Sequence, residues 1–164
     1  MSVASVKAYL RAFGKEDDVQ EFPVSSATVE LAAQALQVIP ARIAKTLSFA
    51  HKDGHGILLV AAGDAKIDNA KFKQQFSCKA KMLTPEEVIA CTGHAVGGVC
   101  PFAIPDPHTE TYLDRSLLRF SSVFPAAGSA NSAVEMTCDE LERYASNFAA
   151  WVDVCKGWRP EEQG

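Results

Sequence analysis

Long apolar runs are missing from this sequence. No stretch reaches the roughly 18 uninterrupted apolar residues that a membrane-spanning helix needs. The start, MSVASVKAYLRAFGKEDD, interrupts its apolar positions with Lys7 and Arg11, which is not typical of a secretory signal peptide. We therefore expect a cytoplasmic protein with no membrane contact.

Paired cysteines and the common catalytic signatures are also missing. An odd number of scattered cysteines without a Cys-x-x-Cys pair argues against a disulfide framework and a zinc site, so we expect reduced thiols and no metal. The sequence has no Gly-x-Ser-x-Gly, no phosphate loop ending in Gly-Lys-Ser/Thr, no His-Glu-x-x-His and no dinucleotide fingerprint. We expect no cofactor. The five cysteines are Cys78, Cys91, Cys100, Cys138 and Cys155.

Positive charge is scarcer than negative charge. With 16 Lys and Arg against 20 Asp and Glu, the formal net charge is −4, which excludes a broadly basic nucleic-acid-binding surface. A solvated helix face is the favoured interpretation of the one basic cluster, and contact with an RNA backbone is the alternative. The cluster comprises Lys66, Lys71, Lys73, Lys79 and Lys81.

The remaining composition and the residue patterns predict one α+β domain. The chain has 164 residues, of which 48% are hydrophobic and 22% charged, so we expect a single domain over 1–158 and a frayed polar tail over 159–164. Two apolar runs around Lys52-Asp53-Gly54-His55-Gly56 predict a β-hairpin, and Thr84 and Thr137 each begin a capping box. A mixed, largely antiparallel sheet is favoured. Helices are predicted over 2–13, 29–38, 69–76, 85–91 and 138–147, and further strands over 19–24, 111–113, 121–125, 133–136 and 151–154.

Two features could carry chemistry. The loop Gly97-Gly98-Val99-Cys100-Pro101 can bring backbone N–H groups close to a ligand, although a glycine pair before proline is also typical of an ordinary turn. Lys45 interrupts an apolar strand, where it is either an exposed lysine or a partly desolvated ammonium that holds a phosphate or a carbonyl oxygen. His51 and His55 flank the hairpin turn and are expected to be solvated.

Taken in order, these elements resemble the YbaK/EbsC family, the prolyl-tRNA synthetase-associated editing domain, from about Ser5 to Val154. No single motif carries the resemblance, because each piece is ordinary and only the order and spacing are specific. The matching segments are Thr28-Val29-Glu30, Ala44-Lys45-Thr46-Leu47, IDNAKFKQQF, Leu83 to Val88, Thr92 to Phe102, and Ala127-Gly128 ahead of Ala133 to Met136.

The resemblance implies a fold, an activity and a site. The fold would be a barrel-like mixed sheet surrounded by helices. The activity would be metal-independent deacylation of a mischarged tRNA in trans, with alanine or cysteine on tRNA for proline, without a covalent enzyme nucleophile. Lys45 corresponds to the family's functional lysine, and Gly97 and Pro101 correspond to the ends of its Gly-x-x-x-Pro loop.

A further set of residues is expected to bind the substrate. Phe22 and Thr28 would shape the pocket for the amino-acid side chain, Thr46 and Asn131 would present polar atoms to its amino group, and Gly128 belongs to the same group. The segment from Gly128 to Ser132 lacks the basic residues of some cysteine-editing relatives, so the amino acid removed is left open.

Two other functions remain as alternatives. A non-catalytic module of the same fold could bind tRNA or a nucleotide, or dock onto a synthetase. A hydrolase could use Cys100 as the nucleophile with His94 and Asp106 as its partners. In the favoured interpretation the partners are the acceptor end of a mischarged tRNA and an aminoacyl-tRNA synthetase, and the sequence leaves the oligomeric state open.

Overall fold

Each of the later four helices begins at a residue whose side chain caps it. In the computed structural model, which describes residues 3–160, Thr84 and Thr137 each form the reciprocal capping box that the sequence predicts. Thr28 accepts from the N–H of Leu31, and Asp68 accepts from two N–H groups of the next helix. The helices are α1 (Val3–Arg11), α2 (Val29–Leu36), α3 (Asn69–Phe76), α4 (Pro85–Thr92) and α5 (Cys138–Tyr144).

Nine strands lie within the described residues. They are β1 (Val19–Glu21), β2 (Ile43–Ala50), β3 (Gly56–Ala62), β4 (Lys66–Ile67), β5 (Glu110–Asp114), β6 (Phe124–Pro125), β7 (Ser132–Val134), β8 (Phe148–Val152) and β9 (Cys155–Lys156). Short 3₁₀ helices cover Glu16–Asp18, Pro40–Arg42 and Arg115–Arg119.

The main sheet has five strands in the order β6-β2-β3-β5-β8. The predicted hairpin forms its antiparallel pair, β2 with β3, while β6, β5 and β8 join in parallel. Two small antiparallel sheets, β1 with β7 and β4 with β9, complete the fold. The predicted α+β domain with a mixed sheet is confirmed, and the sheet curls into a half-barrel. The main sheet has three parallel pairs and one antiparallel pair, and with the two small sheets the described residues form three of each, so antiparallel pairs do not predominate.

The core is centred on β3, all seven residues of which are buried. Because both faces of this strand are covered, it reads as a continuous apolar run rather than an alternating one. Leu10 of α1 and Phe72 of α3 are fully buried in the same core. Among residues 3–160, no helix has the length and apolar character required to cross a lipid bilayer.

The boundaries differ from the predictions in a few places. The strand predicted over 19–24 ends at Glu21, the helix predicted to 147 ends at Tyr144, and the strand predicted over 151–154 is β8. The predicted tail begins at Arg159, whose guanidinium donates to Asp153 at 2.8 Å. The rest of that tail, over 161–164, and the predicted first helical residue, Ser2, lie outside the described residues.

Candidate active site

A cleft of about 440 Å³ opens beside β2. One wall comes from β2 and the start of α2, another from the segment that leads into α4, and a third from the glycine loop, with β6 and β7 at its base. The residues that line it are Ser26, Ala27, Thr28, Val29, Ala32, Ile43, Ala44, Lys45, Thr46, Leu47, Ser48, Met82, Leu83, Pro85, Val88, Val96, Gly97, Val99, Phe124, Ala126, Ser132 and Ala133.

Lys45 lies on β2 opposite Ala61 and is partly buried at the cleft wall. Its Nζ donates to the carbonyl oxygen of Ala65 and, at 3.4 Å, to that of Gly63. Burial lowers the pKa of the Lys45 ammonium, and the nearby Asp64 carboxylate opposes that effect less strongly. Of the two interpretations of Lys45, the structure therefore favours a partly desolvated ammonium over a freely exposed strand lysine.

The hydrogen bonds of Lys45 leave capacity for a ligand. An ammonium has three N–H donors, and carbonyl groups within residues 3–160 take two of them. Among the residues that line the cleft, Lys45 has the only side chain that is charged at neutral pH. An apolar cleft with one positive charge favours a ligand that brings a carbonyl or phosphate oxygen.

The glycine loop forms the facing wall through Gly97 and Val99. Gly97 has a φ of +99°, a conformation that side chains rarely adopt. The Gly98 N–H donates to the Ala95 carbonyl at 3.0 Å, whereas the N–H groups of Gly97 and Val99 have no acceptor within residues 3–160. Two main-chain donors are thus free beside the cleft, which is what a carbonyl-binding loop requires.

A second loop supports the glycine loop from behind. A Cβ atom added to Gly98 would lie 2.7 Å from both the Cα and the N of Ser129 and 2.8 Å from the carbonyl carbon of Gly128. Only glycine allows the two main chains to approach so closely. Gly128 therefore packs against the glycine loop and is not among the residues that line the cleft; its expected contact with a substrate stays a prediction.

The two predicted threonines do line the cleft. Thr46 follows Lys45 on β2, and its Oγ1 is buried without a hydrogen-bond partner within residues 3–160. Thr28 is the N-cap of α2, and its Oγ1 accepts from the Leu31 N–H at 3.1 Å. Thr46 Oγ1 is therefore buried without a partner at the cleft wall, while Thr28 fixes the start of a helix at the cleft.

Phe22 and Asn131 are not among the residues that line the cleft, so their expected contact with the substrate stays a prediction. The Asn131 side chain donates to the Phe22 carbonyl at 2.8 Å and accepts from Ser129 Oγ at 2.8 Å. The Phe22 N–H donates in turn to the Asn131 carbonyl at 2.8 Å. These bonds use the polar groups of Asn131 to tie the end of β1 to the supporting loop.

The arrangement around Cys100 does not support a thiol nucleophile. Cys100 is fully buried behind the cleft, and burial raises the pKa of its thiol to about 12. His94 Nε2 lies 3.6 Å from Cys100 Sγ but also 2.8 Å from the Phe102 carbonyl, which can only accept, so Nε2 carries the proton and cannot act as a base. Asp106 accepts from His108 N–H and Thr109 Oγ1 instead of orienting His94.

Pro101 also lies outside the cleft lining, and its carbonyl accepts from the Ser146 N–H at 2.7 Å. It anchors the far end of the loop to the main chain after α5. Of the predicted site residues, the structure therefore brings Lys45, Thr46, Thr28, Gly97 and Val99 to one cleft and places the others around it.

Sequence reasoning missed the apolar wall. Met82, Leu83 and Val88 line the cleft from the segment entering α4, and Phe124 lines it from β6. Hydrophobic residues at such positions look like ordinary core in a sequence. The one sequence feature that pointed to this wall was the apolar pair Met82-Leu83 directly before the capping box. An apolar residue at that position commonly packs against the fourth residue of the helix, which is Val88 here.

Comparison with known proteins agrees with this geometry. A model of the aminoacyl-tRNA editing domain matches residues 24–144. The chain is 54% identical over 159 residues to the uncharacterized protein YwhH of Bacillus subtilis (strain 168), covering 96% of this chain and 99% of that protein. A solved structure described as a candidate trans-editing enzyme for prolyl tRNA synthetase has a TM-score of 0.83 at 30% identity, covering 94% of this chain and 97% of that one.

Proline–tRNA ligases match over a shorter segment. The ligase of Solidesulfovibrio magneticus is 37% identical over 92 residues, which is 55% of this chain but only 15% of the ligase. The family match includes Lys45 and the glycine loop, and the solved structure covers nearly the whole fold. This chain is therefore a member of the aminoacyl-tRNA editing domain family, the YbaK-type family that its sequence resembles.

Proposed function

We propose that this protein hydrolyses, in trans, the ester bond that joins a wrong amino acid to a tRNA. The substrate is tRNA for proline that carries alanine, cysteine or another small amino acid. The observation that carries this proposal is that one cleft is lined by Lys45 together with Gly97 and Val99, whose N–H groups have no acceptor within residues 3–160. The family and its link to prolyl-tRNA synthetases support the same class of substrate.

The chemistry is ester hydrolysis by positioning and electrostatics. The third N–H of Lys45 binds an oxygen of the aminoacyl ester or of the terminal phosphate. The N–H groups of Gly97 and Val99 hold the carbonyl oxygen and stabilise the negative charge that develops on it. A water molecule, assisted by the neighbouring ribose hydroxyl, attacks the carbonyl carbon. The bond between the carbonyl carbon and the ribose oxygen then breaks, and that oxygen takes up the proton that the attacking water releases.

The cleft fits the end of a charged tRNA better than an extended nucleic-acid surface. Its walls are mostly apolar and about 440 Å³ is room for an aminoacyl group and part of a ribose. Exposed Lys81 directly precedes Met82, which lines the cleft, and we expect it to meet a phosphate of the acceptor end. A small contact area of this kind reconciles a net charge of −4 with an RNA substrate. The proposed protein partner is a synthetase that holds the same tRNA.

A deacylation panel tests the proposal. Purified protein is incubated with tRNA for proline charged with alanine, cysteine, serine or proline, and the loss of labelled ester is followed against a protein-free reaction. At least one small, wrong amino acid is expected to be removed faster than proline. Lys45→Ala is expected to lower kcat/KM by about 10²–10³-fold, the effect of removing one preorganised donor.

The matched control is Lys52→Ala, which removes an exposed lysine from the hairpin turn at the other end of β2. It is expected to keep the wild-type rate. Absence of ester loss for every substrate, or equal rates for Lys45→Ala and the wild type, contradicts the proposal. Tight binding of tRNA without turnover assigns the protein to the non-catalytic alternative.

A further inference from the structure

The turn between β2 and β3 brings together three side chains that can bind a metal. His51, Asp53 and His55 each place one ligand atom so that all three atoms lie within 4.8 Å of one another. Asp53 Oδ1 lies 3.2 Å from His51 Nδ1 and also pairs with His55 Nδ1. The two imidazole rings stack with their centroids 4.5 Å apart and their planes 16° apart. Two imidazole nitrogens and one carboxylate oxygen therefore lie close together at the tip of the hairpin, and the rings must turn out of their stack to bind one ion in their ring planes.

The histidines are more enclosed than the sequence suggests. Their side chains are only 19% and 20% exposed, so the expectation that both are solvated is wrong. A tetrahedral site with bonds near 2.1 Å places its ligand atoms about 3.4 Å apart, close to the spacing seen between His51 and Asp53. The turn therefore holds His51 Nδ1 and Asp53 Oδ1 near the spacing that a metal ion requires, whereas His55 Nδ1 must move away from Asp53 Oδ1 to admit an ion.

Both ring nitrogens of His55 lie next to carboxylates. Its Nδ1 faces Asp53, and its Nε2 lies 2.8 Å from Glu110 Oε1 but without the angle of a good hydrogen bond. With a metal ion on Nδ1, Nε2 would be the N–H donor toward Glu110, which is the hydrogen bond that metal-bound histidines commonly make.

We propose that His51 Nδ1, Asp53 Oδ1 and His55 Nδ1 bind a divalent transition-metal ion of the Zn²⁺ class, with a fourth position open to water. Glu110 acts as a positioning residue for the His55 ring. The His55 backbone N–H donates to Asp53 Oδ1 at 3.1 Å and holds that carboxylate beside the two rings. A cavity of about 420 Å³ lined by Asp53, His55 and His108 adjoins the site and leaves room for the fourth ligand.

This site is separate from the cleft. His51 directly follows β2 and is six positions after Lys45, which corresponds to about 20 Å of extended chain. A bound ion would join the two arms of the hairpin at its tip. The inference does not depend on the proposed deacylase activity.

Titration of the metal-free full chain with Co²⁺, followed by Zn²⁺ competition in a calorimeter, tests the proposal. One equivalent is expected to bind with weak visible absorption, as nitrogen and oxygen ligands give, without the intense near-ultraviolet band of cobalt–thiolate bonds. His55→Ala and Asp53→Asn are expected to weaken binding by at least about 100-fold, and Glu110→Gln by about 10–100-fold. Lys52→Ala, on the same turn but outside the ligand set, keeps the wild-type affinity.

The five free cysteines make a specific control necessary, since thiols also bind these ions. Cys78→Ser and Cys91→Ser are expected to leave the isotherm unchanged, and far-UV circular dichroism checks that each variant is folded. Zn²⁺ is also expected to raise the Tm of the wild type but not of His55→Ala. A thiolate band, an isotherm that His55→Ala does not change, or no binding at all overturns the proposal.

Discussion

Replacing Gly98 with alanine tests whether the supporting loop holds the glycine loop in place. The added Cβ would lie 2.7 Å from two main-chain atoms of Ser129 and 2.8 Å from one of Gly128, whereas ordinary carbon contacts begin near 3.5 Å. No side-chain rotation relieves these overlaps, because every atom involved belongs to the backbone. The two loops must therefore separate by several tenths of an ångström.

Overpacking of this kind costs about 1–3 kcal/mol of folding free energy. In a domain of this size each kcal/mol shifts Tm by about 2–4 °C, so Gly98→Ala is expected to melt roughly 2–12 °C below the wild type. Deacylation measured well below the new Tm is also expected to fall, because the displaced loop no longer presents its N–H groups to the cleft. Urea unfolding and single-turnover ester loss measure the two effects on the same preparation.

The control is Gly14→Ala, at a position with a φ of +71° and no atom within 4 Å of the added Cβ. It strains the backbone by roughly 1–2 kcal/mol without touching the cleft. Lower stability with unchanged deacylation is expected there. The reasoning fails if Gly98→Ala is as stable as the wild type, or if both variants lose activity in proportion to their loss of stability.

Two other predictions concern titratable groups. Cys100→Ser is expected to keep the wild-type deacylation rate, because the thiol is buried and a pKa raised to about 12 keeps it protonated. A loss of roughly 10⁴-fold or more in the single-turnover rate would restore the hypothesis that Cys100 is the nucleophile. Lys45→Met is expected to remove a pH-dependent part of stability. Burial lowers the folded-state pKa of Lys45 below the value of about 10.4 that a lysine has in an unfolded chain. At a pH between these two values the unfolded state binds more protons than the folded state. The stability of the wild type therefore rises with pH relative to that of the variant. Urea unfolding at stepped pH measures the difference, and a difference independent of pH would show that the ammonium is not desolvated.

Local chemistry made some of the fold predictable from sequence. A capping box is satisfied within four residues, so Thr84 and Thr137 identify the starts of α4 and α5 without tertiary information. The hairpin turn between β2 and β3 is equally local. The parallel pairing of β2 with β6 is not, because Ile43 and Phe124 are distant in sequence and their contact depends on packing of the whole chain.

The site, too, was predictable only where local sequence determines it. Periodicity left Lys45 undecided between solvent and cleft, since an alternating strand places a lysine on either face, and only the covering segments show that it is partly buried. Asn131 was expected to face the substrate because its amide can bind an amino group. Its bond to Phe22, from a segment far away in sequence, uses that amide and could not be seen without the fold. The catalytic role of Lys45 and the loop stays a prediction.

The pairing of β1 with β7 has a consequence for when the cleft can exist during synthesis. Val19 pairs with Val134, and Phe124, Ser132 and Ala133, which line the cleft, all follow Lys45 and the glycine loop in the chain. Because contacts between such distant segments form only once both are present, a nascent chain that already contains Lys45 and the glycine loop still lacks part of the cleft lining. The cleft is therefore complete only after residues through Val134 have been synthesised.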